Sequence, residues 1–175
     1  QAMRAHEMIS DLMLFARPPK LHPRPIDLRH LVIGVVNEQR AFAAEHDAEI
    51  LCEAGDDRID VMADENQLGV AVHAVLKNSL EAVPAGGHVW VSARELEAGA
   101  RRVAELTVRD DGPGISDSVR RHLFDPFFSG REAGRGLGFG LSKCWRIVTD
   151  HGGEVLVNCP AMGGAEFCIH IPTIS

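Results

Sequence analysis

Apolar residues recur at helical spacing in several stretches of the chain and alternate with polar ones in several others. In residues 1–16, Met3, Met8, Leu12 and Phe15 fall near one stripe, widened by Ile9 and Leu14. A helix of that length is not stable alone, so its apolar face needs a partner. The following "ARPPKLHPRP" holds four prolines in ten residues, cannot continue a helix, and reads as an extended linker over residues 17–25. "IDLRHLVIGVVNEQRAFAAEHD" then predicts a second helix with Asp27 as N-cap. The next helix opens at Asp64, with Gln67 three residues on in a capping-box arrangement, and carries a core stripe of Leu68, Val72, Val75, Leu76 and Val83. Helical spacing returns over residues 138–150.

"AEILCEA" and "RIDVMA" predict short strands, and "HVWVSARELE" and "RRVAELTVRD" alternate as a pair around a turn at Gly99. "GEVLVNC" and "AEFCIHIP" predict a closing hairpin, while residues 112–137 read as glycine-rich and irregular. The order α–β–β–α–β–β–loop–α–β–β has too few βαβ crossovers for a doubly wound fold. It predicts an α+β domain over residues 26–175, with helices packed on one face of a mixed sheet.

Composition narrows the classes of function. A net charge of −7 argues against a nucleic-acid surface. No apolar run approaches a membrane span of about 20 residues, and no signal peptide opens the chain. Cys52, Cys144, Cys159 and Cys168 show no CxxC spacing; Cys159 and Cys168 could face each other across the closing hairpin, but all four read rather as reduced core cysteines, consistent with a cytoplasmic setting. Because the chain begins in mid-pattern at "QAMRAHEMIS", a fragment of a longer protein is expected.

Candidate chemistry sits in three places. Asn78 lies off the core stripe of its helix, on the side shared by Ala74 and Glu81, where its amide oxygen suits a hard cation such as Mg²⁺ or simply faces water. In "TVRDDGPGI", strand parity places Asp110 inward with Leu106 and Val108, and Asp111 outward. A buried carboxylate wants a donor, such as an adenine amine, although an aspartate before glycine also caps its own turn. Gly112 and Gly114 would let a ligand approach the backbone. The third place is Gly134, Gly136, Gly138 and Gly140 opening a helix, with Arg131 and Arg135 in the loop. Free amides and basic charge there suit phosphate, or make a solvated basic loop. The set is not a P-loop, and without a preceding strand it is not a dinucleotide fingerprint.

Taken in order, "VLKNSLEA", "VRDDGPGI", "LFDPFFSGREAGRGLGFGLS" and "HGGEVLVNCPAMGGAEFCIHIP" resemble the ATP-binding domain of sensor histidine kinases, over residues 26–173. The resemblance implies a Bergerat-type two-layer α/β sandwich, with ATP between the helical layer and a lid. It makes Asn78 the magnesium-ligating asparagine and Asp110 the adenine-binding aspartate. Gly112 and Gly114 match the first glycine box, Phe124, Phe127 and Phe128 the phenylalanine segment of the lid, and Gly136, Gly138 and Gly140 the second glycine box. Ile115, Leu137 and Leu141 fall with them in the nucleotide site, and Arg131 lies near the phosphates as a catalytic residue beside Asn78. "MISDLMLFARPPKLHPRPIDL" resembles the second dimerisation helix and its connector, so residues 1–16 are expected to belong to the dimerisation domain.

The resemblance implies transfer of the ATP γ-phosphoryl group to a histidine, then to the receiver domain of a response regulator. Implied partners are the protein's own dimerisation domain, in a homodimer, and that receiver. His6 lacks the family's acceptor pattern, so the acceptor is expected upstream. Ala74 stands where hydrolysing relatives carry a water-activating glutamate, which favours transfer over hydrolysis; Glu81 is wrongly spaced for that base. Arg135 stands where relatives often carry a small polar residue. A hydrolytic ATPase or serine kinase of the same superfamily, and a non-catalytic nucleotide-binding module, are the alternatives.

Overall fold

The computed structural model describes residues 20–99, 101–126, 128 and 139–174. The elements are β1 (Arg24–Asp27), α1 (Leu28–Glu45), β2 (Ala48–Glu53), β3 (Asp60–Ala63), α2 (Glu65–Ala82), β4 (Gly87–Ala98), β5 (Arg101–Asp110), α3 (Asp117–Arg120), α4 (Gly140–Asp150), β6 (Glu154–Asn158) and β7 (Glu166–Pro172). The helix expected over residues 1–16 and the first part of the linker lie outside the described residues.

The main sheet has the order β2-β4-β5-β7-β6. Its β2–β4 pair is parallel and the other pairs are antiparallel, so the sheet is mixed, as expected. Alternation divides its faces. Val89 and Val91 of β4, Ala104, Leu106 and Val108 of β5, and Phe167, Ile169 and Ile171 of β7 are buried. Against them pack Leu28, Val32 and Val36 of α1, Leu68, Val72, Val75 and Leu76 of α2, and Cys144, Ile147 and Val148 of α4. Each large aliphatic chain so buried contributes about 1.5–3 kcal/mol. The opposite face carries Trp90, Arg94, Glu105, Thr107, Arg109 and His170, where polar side chains meet water or one another. The fold is thus α+β, with a helical layer on one side of the sheet.

Local signals explain the helix starts. Asp27 Oδ1 accepts from the Arg29 and Ile59 amides at 3.0 and 3.2 Å, which caps α1 and anchors the loop before β3. Asp64 Oδ1 accepts from the Gln67 amide at 3.1 Å, so the N-cap stands as read. The reciprocal half of the capping box does not: the Asp64 amide donates to His151 Nε2 at 3.0 Å.

Other expectations need correcting. Residues 24 and 25 are not linker but the start of β1, paired antiparallel with β3 from Arg24↔Ala63 to Asp27↔Asp60. Proline is tolerated on such an edge strand, so proline content hid the strand. The segment read as irregular contains α3, capped by Ser116, whose hydroxyl accepts from the Val119 amide at 3.4 Å. Val83 ends α2 half-buried rather than in the core. All four cysteines are free, but Cys159 is exposed, whereas burial pushes the Cys144 thiol up to about 12. Among the described residues, no helix is long and apolar enough to cross a membrane.

Candidate functional site

Asp110 closes the central strand β5 and is 1% exposed, on the inward face that parity assigned to it. Its Oδ1 accepts from the Gly112 amide at 3.0 Å and the Ala165 amide at 3.1 Å. Its own amide donates to the Ala165 carbonyl at 2.9 Å. One carboxylate oxygen therefore ties the loop after β5 to the turn before β7. The other, Oδ2, is buried with no partner. Ser79 of α2 is fully buried beside it, close enough to favour the ionised form, yet its Oγ and Oδ2 make no hydrogen bond. Burial outweighs the two amides and Ser79, and holds the Asp110 carboxyl above the ordinary carboxylate range. The two readings left open by the sequence, turn cap and waiting acceptor, coexist in one side chain.

The backbone around this acceptor is crowded. A Cβ at Gly112 would lie 3.0 Å from the Ala82 carbonyl oxygen, at the end of α2. At Gly114, with φ +77°, it would lie 2.9 Å from the Gly164 carbonyl oxygen, and at Gly164, with φ +81°, only 1.8 Å from the backbone carbonyl oxygen of Asp110. These glycines let three segments far apart in sequence, the end of α2, the loop after β5 and the turn before β7, pack backbone to backbone around Asp110. Gly164, Ala165 and Ser79 belong to the site and were not singled out from sequence. The double glycine of "AMGGAEF" and the position of Ser79 next to Asn78 were the available signals.

Asn78 precedes Ser79 and is half-buried. Ala74, one turn earlier on the same flank, is met by the start of α4: a Cβ at Gly140 would stand 4.0 Å from the Ala74 Cβ. That N terminus has Phe139 at the cap position and no side-chain cap. Ile115 and Leu141 are half-buried against the core, and the Ile115 carbonyl accepts from the Cys159 thiol at 3.3 Å. Phe124 and Phe128 are half-buried, the latter with its ring 5.6 Å from that of His122. Asp111 turns outward and accepts from the His88 amide at 2.8 Å. The structure thus brings together Asp110, Gly112, Gly114 and the C-terminal half of α2, and sets Gly140 against the Asn78 flank. Arg131, Gly136, Leu137, Gly138 and Phe127 lie outside the described residues.

Residues 63–175 match the histidine kinase-, DNA gyrase B- and HSP90-like ATPases. The chain belongs to that ATPase family. Within it, the similarities run to sensor kinases. The chain is 32% identical over 171 residues to the C4-dicarboxylate transport sensor protein DctB of Rhizobium meliloti, covering 96% of this chain and 26% of that one. The solved mycobacterial sensor histidine kinase MprB is 30% identical with a TM-score of 0.75, over 86% of this chain and 97% of that one. Full-length ShkA, solved in complex with AMPPNP, is 25% identical with a TM-score of 0.83, over 97% of this chain and 36% of that one. The sandwich described above is the fold of the family's histidine kinase catalytic domains. The chain spans 19% to 37% of the length of the curated relatives it matches.

Proposed function

We propose that this ATPase-family chain is the catalytic domain of a sensor histidine kinase, binding ATP and passing its γ-phosphoryl group to a histidine on a dimerisation helix. The observation that carries the reading is Asp110 Oδ2, a buried acceptor with no hydrogen-bond partner among the described residues, on a side chain whose other oxygen is held by the Gly112 and Ala165 amides. An adenine exocyclic amine is a donor of the right kind. Gly112 and Gly114 leave the backbone of this turn bare of side chains, which fits a flat base held close to it.

For Mg²⁺, among the described residues no group of three or more His, Cys, Asp or Glu side chains is placed to hold a metal ion. That fits an ion held by one amide oxygen, Asn78, together with phosphate oxygens and water. When bound, it supplies positive charge against the triphosphate. The chain's own residues do the positioning. Asp110 orients the base, with Ile115 and Leu141 offering apolar contact at its edges. The uncapped start of α4 at Gly140, with the amides of Gly136, Leu137 and Gly138 and with Arg131, offsets charge on the γ-phosphoryl group. The bond from the γ-phosphorus to the bridging oxygen breaks, its electrons leave with ADP, and an imidazole nitrogen bonds the phosphorus and sheds its proton. An aspartate on a response-regulator receiver then takes the phosphoryl group. Positioning and charge carry such a step. Ala74 gives no carboxylate to activate water, which favours transfer over hydrolysis.

The test supplies the acceptor helix, in cis or in trans, with ATP labelled on the γ-phosphate. Label held by protein, lost in acid and kept in alkali, marks a phosphohistidine and is the expected result. Free phosphate with unlabelled protein would instead indicate a hydrolytic ATPase.

A further inference from the structure

Away from the nucleotide-facing end, Asp64 joins three segments. Its Oδ1 caps α2 through the Gln67 amide, and its Oδ2 accepts from the His22 amide of the connector at 3.0 Å. Its backbone amide donates to His151 Nε2 at the C terminus of α4, while His151 Nδ1 bonds the Ile147 carbonyl at 2.7 Å. The next residue, Glu65, pairs with Arg24, the first residue of β1 and two residues on from His22. The His22 and Gln67 amides, acting against burial, hold the Asp64 carboxyl below the ordinary range, so both oxygens accept. A Ser, Thr or Asn would still cap the helix. Each has one side-chain oxygen, so none would hold cap and connector with separate carboxylate oxygens.

The helices joined at this clasp are the two that reach the nucleotide site. They run antiparallel, with Asp64 against His151 at one end and Ala74 against Gly140 at the other. From Asp64 to Asn78 the rise is about 21 Å at 1.5 Å per residue. A shift of α2 against α4 at the clasp is therefore delivered to Asn78, Ser79 and the start of α4. Leu68, Val72 and Val75 of α2 and Ile147 and Val148 of α4 are buried in one continuous core, which leaves the two helices little slack.

We infer that the Asp64–His151 clasp is a positioning joint, through which His22 of the connector and Arg24 at the start of β1 set the relation of α2 to α4 and so the affinity of the site for ATP. Coupling of binding free energies is reciprocal, so ATP in turn tightens the connector on Asp64. The inference rests on the nucleotide reading above but concerns a different part of the molecule.

The hydrogen bond is removed, with the core untouched, by His22→Pro, which deletes the donating amide in a connector already rich in proline; His22→Ala keeps it. Calorimetry with Mg-ATP is expected to give about fivefold weaker binding for His22→Pro, at the low end of typical coupling, and unchanged binding for His22→Ala. In the unaltered chain, saturating ATP is expected to slow hydrogen exchange of the His22 amide several-fold. Equal affinity in all three proteins overturns the joint, as does exchange at His22 that ignores ATP, a readout that stands even if the proline variant folds poorly. No ATP binding by the unaltered chain overturns the nucleotide reading, and the joint with it.

Discussion

At the scale of single residues, Asp110 gives the sharpest separation of binding from folding. Asp110→Asn keeps an oxygen for the Gly112 and Ala165 amides but puts an NH₂ group where Oδ2 stood. A donor then faces the adenine amine. Leaving buried polar groups unpaired costs about 1–3 kcal/mol, so ATP affinity is expected to fall roughly 10- to 100-fold. The rise in melting temperature that ATP gives the unaltered chain should vanish, while the variant's own melting temperature stays within a few degrees. The pH dependence carries a matching sign. The folded chain holds the Asp110 proton more tightly than the unfolded chain, so ionising it weakens the fold. This contribution is lost as pH rises from the ordinary value of 3.8 through the raised one, and Asp110→Asn removes that slope from a stability–pH curve.

Two glycines of the same backbone hand make a paired test of crowding. Gly164→Ala would drive its Cβ to 1.8 Å from the Asp110 backbone carbonyl oxygen, and is expected to cost about 3 kcal/mol or more in urea unfolding. Gly152 has φ +73° but meets nothing within 4 Å, so Gly152→Ala should cost only about 1–2 kcal/mol. Equal costs would show that the contact with Asp110 is not what Gly164 is for.

At the scale of elements, the outer face of the sheet stitches β4, β5, β7 and β6 together. Arg94 donates to Glu105 at 2.9 Å, and His170 bonds Glu105 at 2.9 Å and Glu154 at 3.1 Å. Burial opposes the imidazolium, but Glu105 and Glu154 outweigh it and raise the His170 pKa above 6.5. Burial opposes the Glu105 carboxylate as well, and His170 and Arg94 outweigh it and lower its pKa below 4.5. The signs follow. The histidine's contribution is fully present below pH 6.5 and is lost as pH rises through its raised value. The glutamate's is present above pH 4.5 and is lost as pH falls through its lowered value. Denaturation at stepped pH should therefore show stability declining on the alkaline side of 6.5, and a shallower decline in His170→Gln. An identical alkaline slope in the variant would remove His170 from this role.

Elements governed by local chemistry were legible beforehand. Asp27 and Asp64 announce their helices, and the alternation of Leu106, Val108 and Asp110 fixes which face of β5 looks inward. What escaped depends on pairing or on brevity. β1 is recognised as a strand only once β3 lies beside it, and α3, four residues long, is too short to show a period. His151 completes the Asp64 cap from 87 residues away, beyond any capping-box pattern.

At the scale of the whole molecule, the sheet order gathers the C-terminal half of α2, the end of β5 and the turn before β7, with the start of α4 set against α2. The faces on which Asn78 and Asp110 lie were readable because each sits on a regular element. The Gly163–Ala165 turn was not, since its place beside Asp110 is a product of sheet order. The connector reaches the same helices from their far end, so ATP affinity tests the proposed base contact and the proposed joint together.

The most direct test is calorimetric titration of the chain with ATP, with and without Mg²⁺, beside Asn78→Ala. The account predicts saturable binding that tightens with Mg²⁺ in the unaltered chain, and binding in Asn78→Ala that Mg²⁺ no longer tightens. Absence of binding by the unaltered chain, or a Mg²⁺ effect that survives the loss of Asn78, would contradict it.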